Sequence, residues 1–230
     1  MTVLVMDTSG PVCGTAVMDE EKVYSEFTAQ NRNTHSANLM PMVEMALNAA
    51  GKRMEEMEAI AVVTGPGSFT GVRIGVATAK GLSLGSGLPC IPVDALEAIA
   101  LSAGRFEGVV CAIQDARAGQ VYGAAFRNGT RLTENAPLPL EEFLQRIRPL
   151  GERFLFTGDG VEPCRERIRE TLGDAAAFTD PCFRYLRPSV AGRIALEKGE
   201  KVDCFTLDAA YLRPPNAQKN KKLLEAMAHG

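Results

Sequence analysis

Three short apolar segments open the chain, at residues 2–8, 13–18 and 23–28, with links of only a few residues between them. Ser9-Gly10-Pro11 forms the first link and Asp19-Glu20-Glu21 the second. Parallel neighbours need a crossover of a dozen or more residues, so links this short force an antiparallel meander. The pattern then changes. Residues 34–50 carry apolar side chains at helical spacing, and residues 59–64 read as a buried strand. A Gly-rich loop leads into a helix over 70–86, followed by a strand at 89–93 and a helix at 95–103. The order β-β-β-α-β-α-β-α sets a meander beside parallel strands, which gives a mixed sheet covered by helices.

The second half is less regular. Residues 108–113 and 120–126 read as strands, and Asn128-Gly129 is a hairpin signal between 120–126 and 130–133. Helices are expected at 140–147, 164–172 and 190–198, with prolines punctuating the loops. No internal repeat is visible. A boundary near residues 104–107 divides the chain into a lobe at 1–105 and a lobe at 106–230.

Composition narrows the function classes. The 230 residues are 46% hydrophobic and 23% charged, which is globular usage. No apolar run approaches the roughly 18 residues of a membrane span. The first residues lack a basic region before Asp7, so no signal peptide and a cytoplasmic protein are expected. Net charge is -3, whereas a chain that grips nucleic acid by itself usually has a basic excess. The basic cluster Lys219, Lys221 and Lys222 reads as a solvated tail. The six cysteines form no C-x-x-C pair, so reduced thiols are expected. Only His35 and His229 could serve histidine chemistry, and neither belongs to a metal pair.

Gly65-Pro66-Gly67-Ser68-Phe69-Thr70-Gly71-Val72-Arg73-Ile74-Gly75 is the most specific stretch. Strand, glycine loop and helix N-terminus together offer a cradle for an anion. The other reading is that the glycines allow a tight turn and close helix packing. No Walker lysine follows. Asp7 and Ser9 close the first strand and, with Gly65 and Gly67, are the weak candidates for cofactor binding; the bland reading of Asp7-Thr8-Ser9 is a capped turn. Asp115-Ala116-Arg117 reads as a charged loop.

Two helices carry more apolar or small surface than one face requires. Over 34–50, Leu39, Met40, Val43, Ala46, Leu47 and Ala50 lie on one arc, with Met42, Met45 and Ala49 beside it. Pro41 falls inside this segment, so the helix is kinked there or begins near Leu39. Over 70–86, Gly71, Gly75 and Ala79 form a stripe, and Val72 and Val76 flank it. Leu39, Met42, Val43, Met45, Gly71, Val72, Gly75, Val76 and Ala79 are therefore the expected partner interface; the alternatives are burial of the 34–50 helix within one large fold and intramolecular packing of the stripe.

Val3-Leu4-Val5-Met6-Asp7-Thr8-Ser9, the 65–75 stretch, Asp115-Ala116-Arg117 with Val121-Tyr122, and Tyr211-Leu212-Arg213 occur in the same order in a known family. In these motifs the chain resembles the bacterial tRNA threonylcarbamoyladenosine biosynthesis protein TsaB (YeaZ) family. The resemblance implies an α/β actin/Hsp70/sugar-kinase-like (ASKHA) fold of two lobes with mixed sheets covered by helices. It also implies a non-catalytic subunit; the surplus apolar helix surface adds the expectation of a two-fold homodimer when the chain is alone. That subunit scaffolds the catalytic paralogue TsaD, with the ATPase TsaE, in threonylcarbamoylation of adenosine 37 of tRNAs reading codons that start with A. No intrinsic cofactor is implied, tRNA is reached only through the complex, and no membrane is involved; an ATP site at a subunit interface of the complex is left open by the sequence. TsaD carries an H-x-x-x-H metal motif where this chain has His35 and Leu39. A peptidase role, given to such proteins in older descriptions, finds no site here. The competing reading is a free-standing ATP-dependent phosphotransferase or hydrolase of the same fold class.

Overall fold

The computed structural model describes residues 1–31 and 34–212. Arg32, Asn33, Arg213, the Lys219/Lys221/Lys222 cluster and His229 lie outside the described residues. The opening meander forms as its links dictate: β1 (Val3–Asp7), β2 (Cys13–Met18) and β3 (Val23–Ala29) pair antiparallel. α1 (His35–Ala50) follows and continues through Pro41 instead of beginning near Leu39. β4 (Ala59–Gly65) joins β1 in parallel, α2 (Phe69–Ser86) crosses over, and β5 (Cys90–Asp94) joins β4 in parallel. The first sheet therefore has the order β3-β2-β1-β4-β5. α3 (Ala95–Ser102) starts where the Asp94 carboxylate accepts the Glu97 amide, an N-cap bond of 2.8 Å.

The second half repeats this plan. β6 (Val109–Asp115), β7 (Gln120–Arg127) and the two-residue β8 (Thr130–Arg131) are a second meander. Asn128 and Gly129 both have positive φ in its turn, as the hairpin signal requires. β9 (Ala136–Pro139) pairs with β7, and α4 (Leu140–Ile147) follows. β10 (Phe154–Thr157) joins β6 in parallel, α5 (Val161–Leu172) crosses over, and β11 (Ala176–Phe178) joins β10 in parallel. Read from the meander outward, the order β8-β7-β6-β10-β11 reproduces the first sheet strand for strand. The sequence reading found no repeat and missed β9, β10 and β11. The duplication is one of topology, carried by different residues.

After residue 187 the chain returns to the first sheet. α6 (Pro188–Lys198) packs on β1 and β2, and Pro188, Ala191 and Gly192 are buried there. Glu26 of β3 holds its start, accepting the Ser189 amide at 2.8 Å and pairing with Arg187. Val202 then bridges Cys90. The result is five layers. α1 and α2 cover one face of the first sheet through Leu4, Met6, Ile60 and Val62. α3 and α6 lie between the sheets in a core with Val3, Val5, Ala61, Ala112, Ala124 and Phe126. α4 and α5 cover the outer face of the second sheet through Cys111, Ile113, Phe143 and Ile168. The alternation Val3/Leu4/Val5/Met6 supplies both faces of β1, which is why the strand is apolar throughout. No described helix is long and apolar enough to cross a membrane.

Candidate functional site

Four segments meet where β1, β4, β6 and β10 end. Ser9 turns back so that its amide donates to the Asp7 carboxylate at 2.8 Å. The Asp7 side chain is 3% exposed, and burial raises its pKa above the usual carboxylate value. His35, at the start of α1, donates from Nε2 to the Gly10 carbonyl at 2.9 Å; that acceptor fixes the proton on Nε2. Gln114, near the end of β6, reaches toward Gly10 from the second lobe. Ser9 Oγ, His35 Nδ1 and Gln114 Oε1 are buried without a protein hydrogen-bond partner among the described residues. The sequence reading kept His35 apart from Asp7 and Ser9, because 25 residues separate it from the turn it bonds. No hydrogen bond joins Ser9 to His35 among the described residues, so the two do not form a nucleophile and its base.

The glycine loop is pressed onto this turn. Ser68 donates its amide to the Ser9 carbonyl at 2.7 Å, and Thr8 Oγ1 donates to the Gly71 carbonyl at 2.7 Å. Ser68 caps α2 by accepting the Gly71 amide at 3.2 Å. A Cβ on Gly67 would collide with the Ser9 carbonyl, and one on Gly71 with the Thr8 carbonyl. At Gly75 it would lie 2.6 Å from Thr8 Oγ1. Close backbone packing therefore accounts for Gly67, Gly71 and Gly75. Gly65, at φ 120°, meets the Ala210 carbonyl, and Ala210 donates its amide to Thr64 at 2.8 Å. Tyr211 stacks on Phe69 with centroids 5.2 Å apart and accepts a 2.7 Å bond from Arg73 Nε, whose guanidinium lies 3.7 Å over the Phe69 ring. The cavity left beside the loop measures about 20 Å³. Asp7, Ser9, Gly65 and Gly67 are thus brought together, with Gly67 packed against the Ser9 backbone and Gly65 against the Ala210 carbonyl.

The second lobe has a matching loop that sequence reasoning missed: Gly158-Asp159-Gly160, between β10 and α5. Cβ atoms at Gly158 and Gly160 would press on the Ile113 and Gln114 backbone. Asp159 has its pKa pushed up to about 6 by burial and by the charge of Asp115, with Arg117 opposing. The available signal was a glycine pair between an apolar run and a helix. Asp115-Ala116-Arg117 is a turn, as read: Arg117 and Ala118 take positive φ, and the Asp115 carboxylate accepts the Arg117 amide at 2.8 Å. Among the described residues no group of three His, Cys, Asp or Glu could hold a metal ion, and no cysteine is in a disulfide.

The expected partner interface needs correction. Leu39, Met42, Val43, Val72, Val76 and Ala79 lie in this chain's own core beneath the first sheet, and Gly71 and Gly75 pack on Thr8. Of the nine residues only Met45 is outside, at 51% exposure. The stripe serves intramolecular packing because α2 must approach β1 closely. The apolar and small surface left on α1 and α2 includes Met40, Met45, Ala77, Gly81, Leu84 and Gly85, with Leu84 68% exposed.

A family model for TsaD, tRNA N6-adenosine threonylcarbamoyltransferase, matches residues 22–220. The tRNA threonylcarbamoyladenosine biosynthesis protein TsaB of Bacillus subtilis is 32% identical over 95% of this chain and 96% of its own length. The chain belongs to the TsaB family. The TsaB protein of Escherichia coli is 36% identical over 70% of this chain and 72% of its own. A solved structure of YeaZ from Pseudomonas aeruginosa, 27% identical, superposes with a TM-score of 0.75 over 92% of this chain and 99% of that one. Its TsaB-family lobes have the actin/Hsp70/sugar-kinase-like fold, and TsaB membership ties the chain to threonylcarbamoyladenosine biosynthesis in tRNA.

Proposed function

We propose that the chain is the non-catalytic subunit of tRNA threonylcarbamoylation, a scaffold and activator of the catalytic paralogue TsaD acting with the ATPase TsaE. The observation that carries this reading is the outer face of α1 and α2. Gly81 and Gly85 have nothing within 4 Å of where a Cβ would stand, Leu84 of the same helix is exposed, and so is Met45 of α1. Glycine inside a helix costs roughly 1 kcal/mol relative to alanine. Nothing in this chain requires it at 81 and 85, so these positions suit a second body that approaches from outside. That body is the paralogue in the working complex and a second copy, in a two-fold dimer, when the chain is alone. Any ATP of the complex belongs at that interface. A free-standing phosphotransferase has less support, because Asp7 is desolvated and the loop amides at Ser68 and Gly71 are spent inside the chain.

The test pairs two charges with different expected fates. Met45→Glu with Leu84→Glu leaves the thermal melt unchanged, reduces the light-scattering mass to a monomer, and abolishes tRNA modification in the reconstituted system. Val76→Glu, at 6% exposure, unfolds the chain instead. A dimer that persists with both charges in place sends the interface elsewhere. Modification of tRNA by this chain alone, above a no-protein control, rejects the non-catalytic reading.

A further inference from the structure

We propose that the end of the second sheet carrying Arg105, Arg127, Arg148 and Arg153 is a contact surface for the phosphate backbone of RNA. Residues 105–187 contain twelve arginines and no lysine. Most are committed: Arg184 to Glu162 at 2.6 Å, Arg131 to Asp94 at 3.0 Å and Arg146 to Glu142 at 2.7 Å. The four named here are exposed and have no carboxylate within 4 Å among the described residues.

The fold gathers them. The Arg153 carbonyl accepts the Val109 amide at 2.9 Å, which sets the 148–153 segment beside the 105–109 segment. The Arg153 guanidinium lies 5.5 Å from the centre of the Phe106 ring. Arg127 donates to the Leu150 carbonyl, two residues from Arg148. Arg105 and Phe106 also line a cleft of about 890 Å³ that continues past Asn128 and Gly129 to Arg193. Glu107 and Glu152 lie in the same segments without pairing to these guanidiniums, so the patch keeps a positive excess.

Guanidinium groups free of carboxylates match phosphate oxygens bidentately, and RNA backbone is bound chiefly by such contacts. A half-buried aromatic beside them gives an unpaired base a face to stack on. The surface borders the second sheet, which the α3/α6 layer and the first sheet separate from α1 and α2, so it can act while the partner occupies them. With a net charge of -3 the isolated chain binds weakly, and the patch adds affinity within the complex. The proposal rests on the chain's place in tRNA modification and not on its being non-catalytic.

The experiment measures tRNA affinity against salt by fluorescence anisotropy, for the full chain and for the assembled complex. Arg105→Gln, Arg148→Gln and Arg153→Gln are combined; Arg127 is spared because it holds Leu150. The triple variant is expected to bind roughly tenfold or more weakly at low salt, with the slope of log K against log [salt] shallower by about 2 to 3. Arg53→Gln, on the first lobe, leaves both unchanged, and a thermal melt verifies folding. An unchanged affinity and slope in the folded variant overturns the proposal. Preferential binding of polyglutamate over tRNA also overturns it, by making the patch a docking site for acidic protein. Loss of RNA affinity with retained partner binding supports it, whatever becomes of the interface on α1 and α2.

Discussion

The two sheets share one strand order yet present different surfaces. In the first lobe α1 and α2 run to 16 and 18 residues; their counterparts α4 and α5 have 8 and 12. The outer faces of α4 and α5 carry paired charges: Arg146 with Glu142 at 2.7 Å, Arg165 with Glu162 at 3.2 Å, and Arg167 with Glu170 at 3.3 Å. Pairs at this spacing are at home in water and contribute only tenths of a kcal/mol. The outer faces of α1 and α2 instead show Met40, Met45 and Leu84 around small residues. The duplicated plan thus gives one set of helices a charged outer face and leaves the other with exposed apolar side chains. What both lobes retain is the junction where the parallel strands end. Gly67 and Gly71 press on residues 8–9, and Gly158 presses on Ile113.

That common junction is the first place to strain the comparison. Gly71→Ala and Gly158→Ala each drive a Cβ into a carbonyl that has no room to retreat, and Gly158 also has φ 103°. Each is expected to cost about 3 kcal/mol, the upper end for overpacking, seen as a fall in the denaturation midpoint. If only one is costly, the two loops are not equivalent.

Electrostatics gives the next effect. Asp7 and Asp159 both have raised pKa values in the fold, chiefly through burial. A carboxyl with a raised folded pKa destabilises the chain above its unfolded pKa of about 4, increasingly as pH climbs through the folded value. Asp7→Asn keeps an oxygen for the Ser9 amide, and it is expected to raise the melting temperature at pH 8 and leave it unchanged near pH 3. Asp159→Asn follows the same direction, with the gain developing as pH rises from the usual carboxylate value of 3.8 to the folded value of about 6 and levelling off above it. Partner-dependent tRNA modification survives Asp7→Ala if this subunit has no nucleotide chemistry of its own. Abolished modification in a folded, partner-bound Asp7→Ala chain would contradict that.

The smallest effect separates the outer face from the inner stripe. Gly81→Ala and Gly85→Ala meet open space and are expected to stabilise the isolated chain by roughly 0.5–1 kcal/mol each. The same substitutions weaken partner association where the helices pack closely, measured as a higher Kd by calorimetry. Stabilisation with unchanged association would leave these glycines without a role at the interface.

The sequence by itself determined the first lobe almost element by element. Links of a few residues admit only antiparallel neighbours, and the 65–75 stretch joins β4 to α2 through a glycine loop; such signals are local and need no distant contact to act. Asn128-Gly129 likewise fixed its hairpin, because positive φ at two successive residues is a local demand. The rest was decided by packing across distance. β10 and β11 are four and three residues long and exist as strands because β6 offers β10 a parallel edge and β10 offers one to β11. The apolar arc of α1 is wide enough to be read as an interface, yet Leu39, Met42 and Val43 are spent on the first sheet. Gly71 and Gly75 could serve a partner or β1 until the fold sets Thr8 against them. Periodicity records how much surface a helix can bury, whereas only the tertiary arrangement decides which neighbour buries it. For the same reason Asp7, Ser9, His35 and Gln114 became one site only when β1, α1 and β6 converged on a single turn.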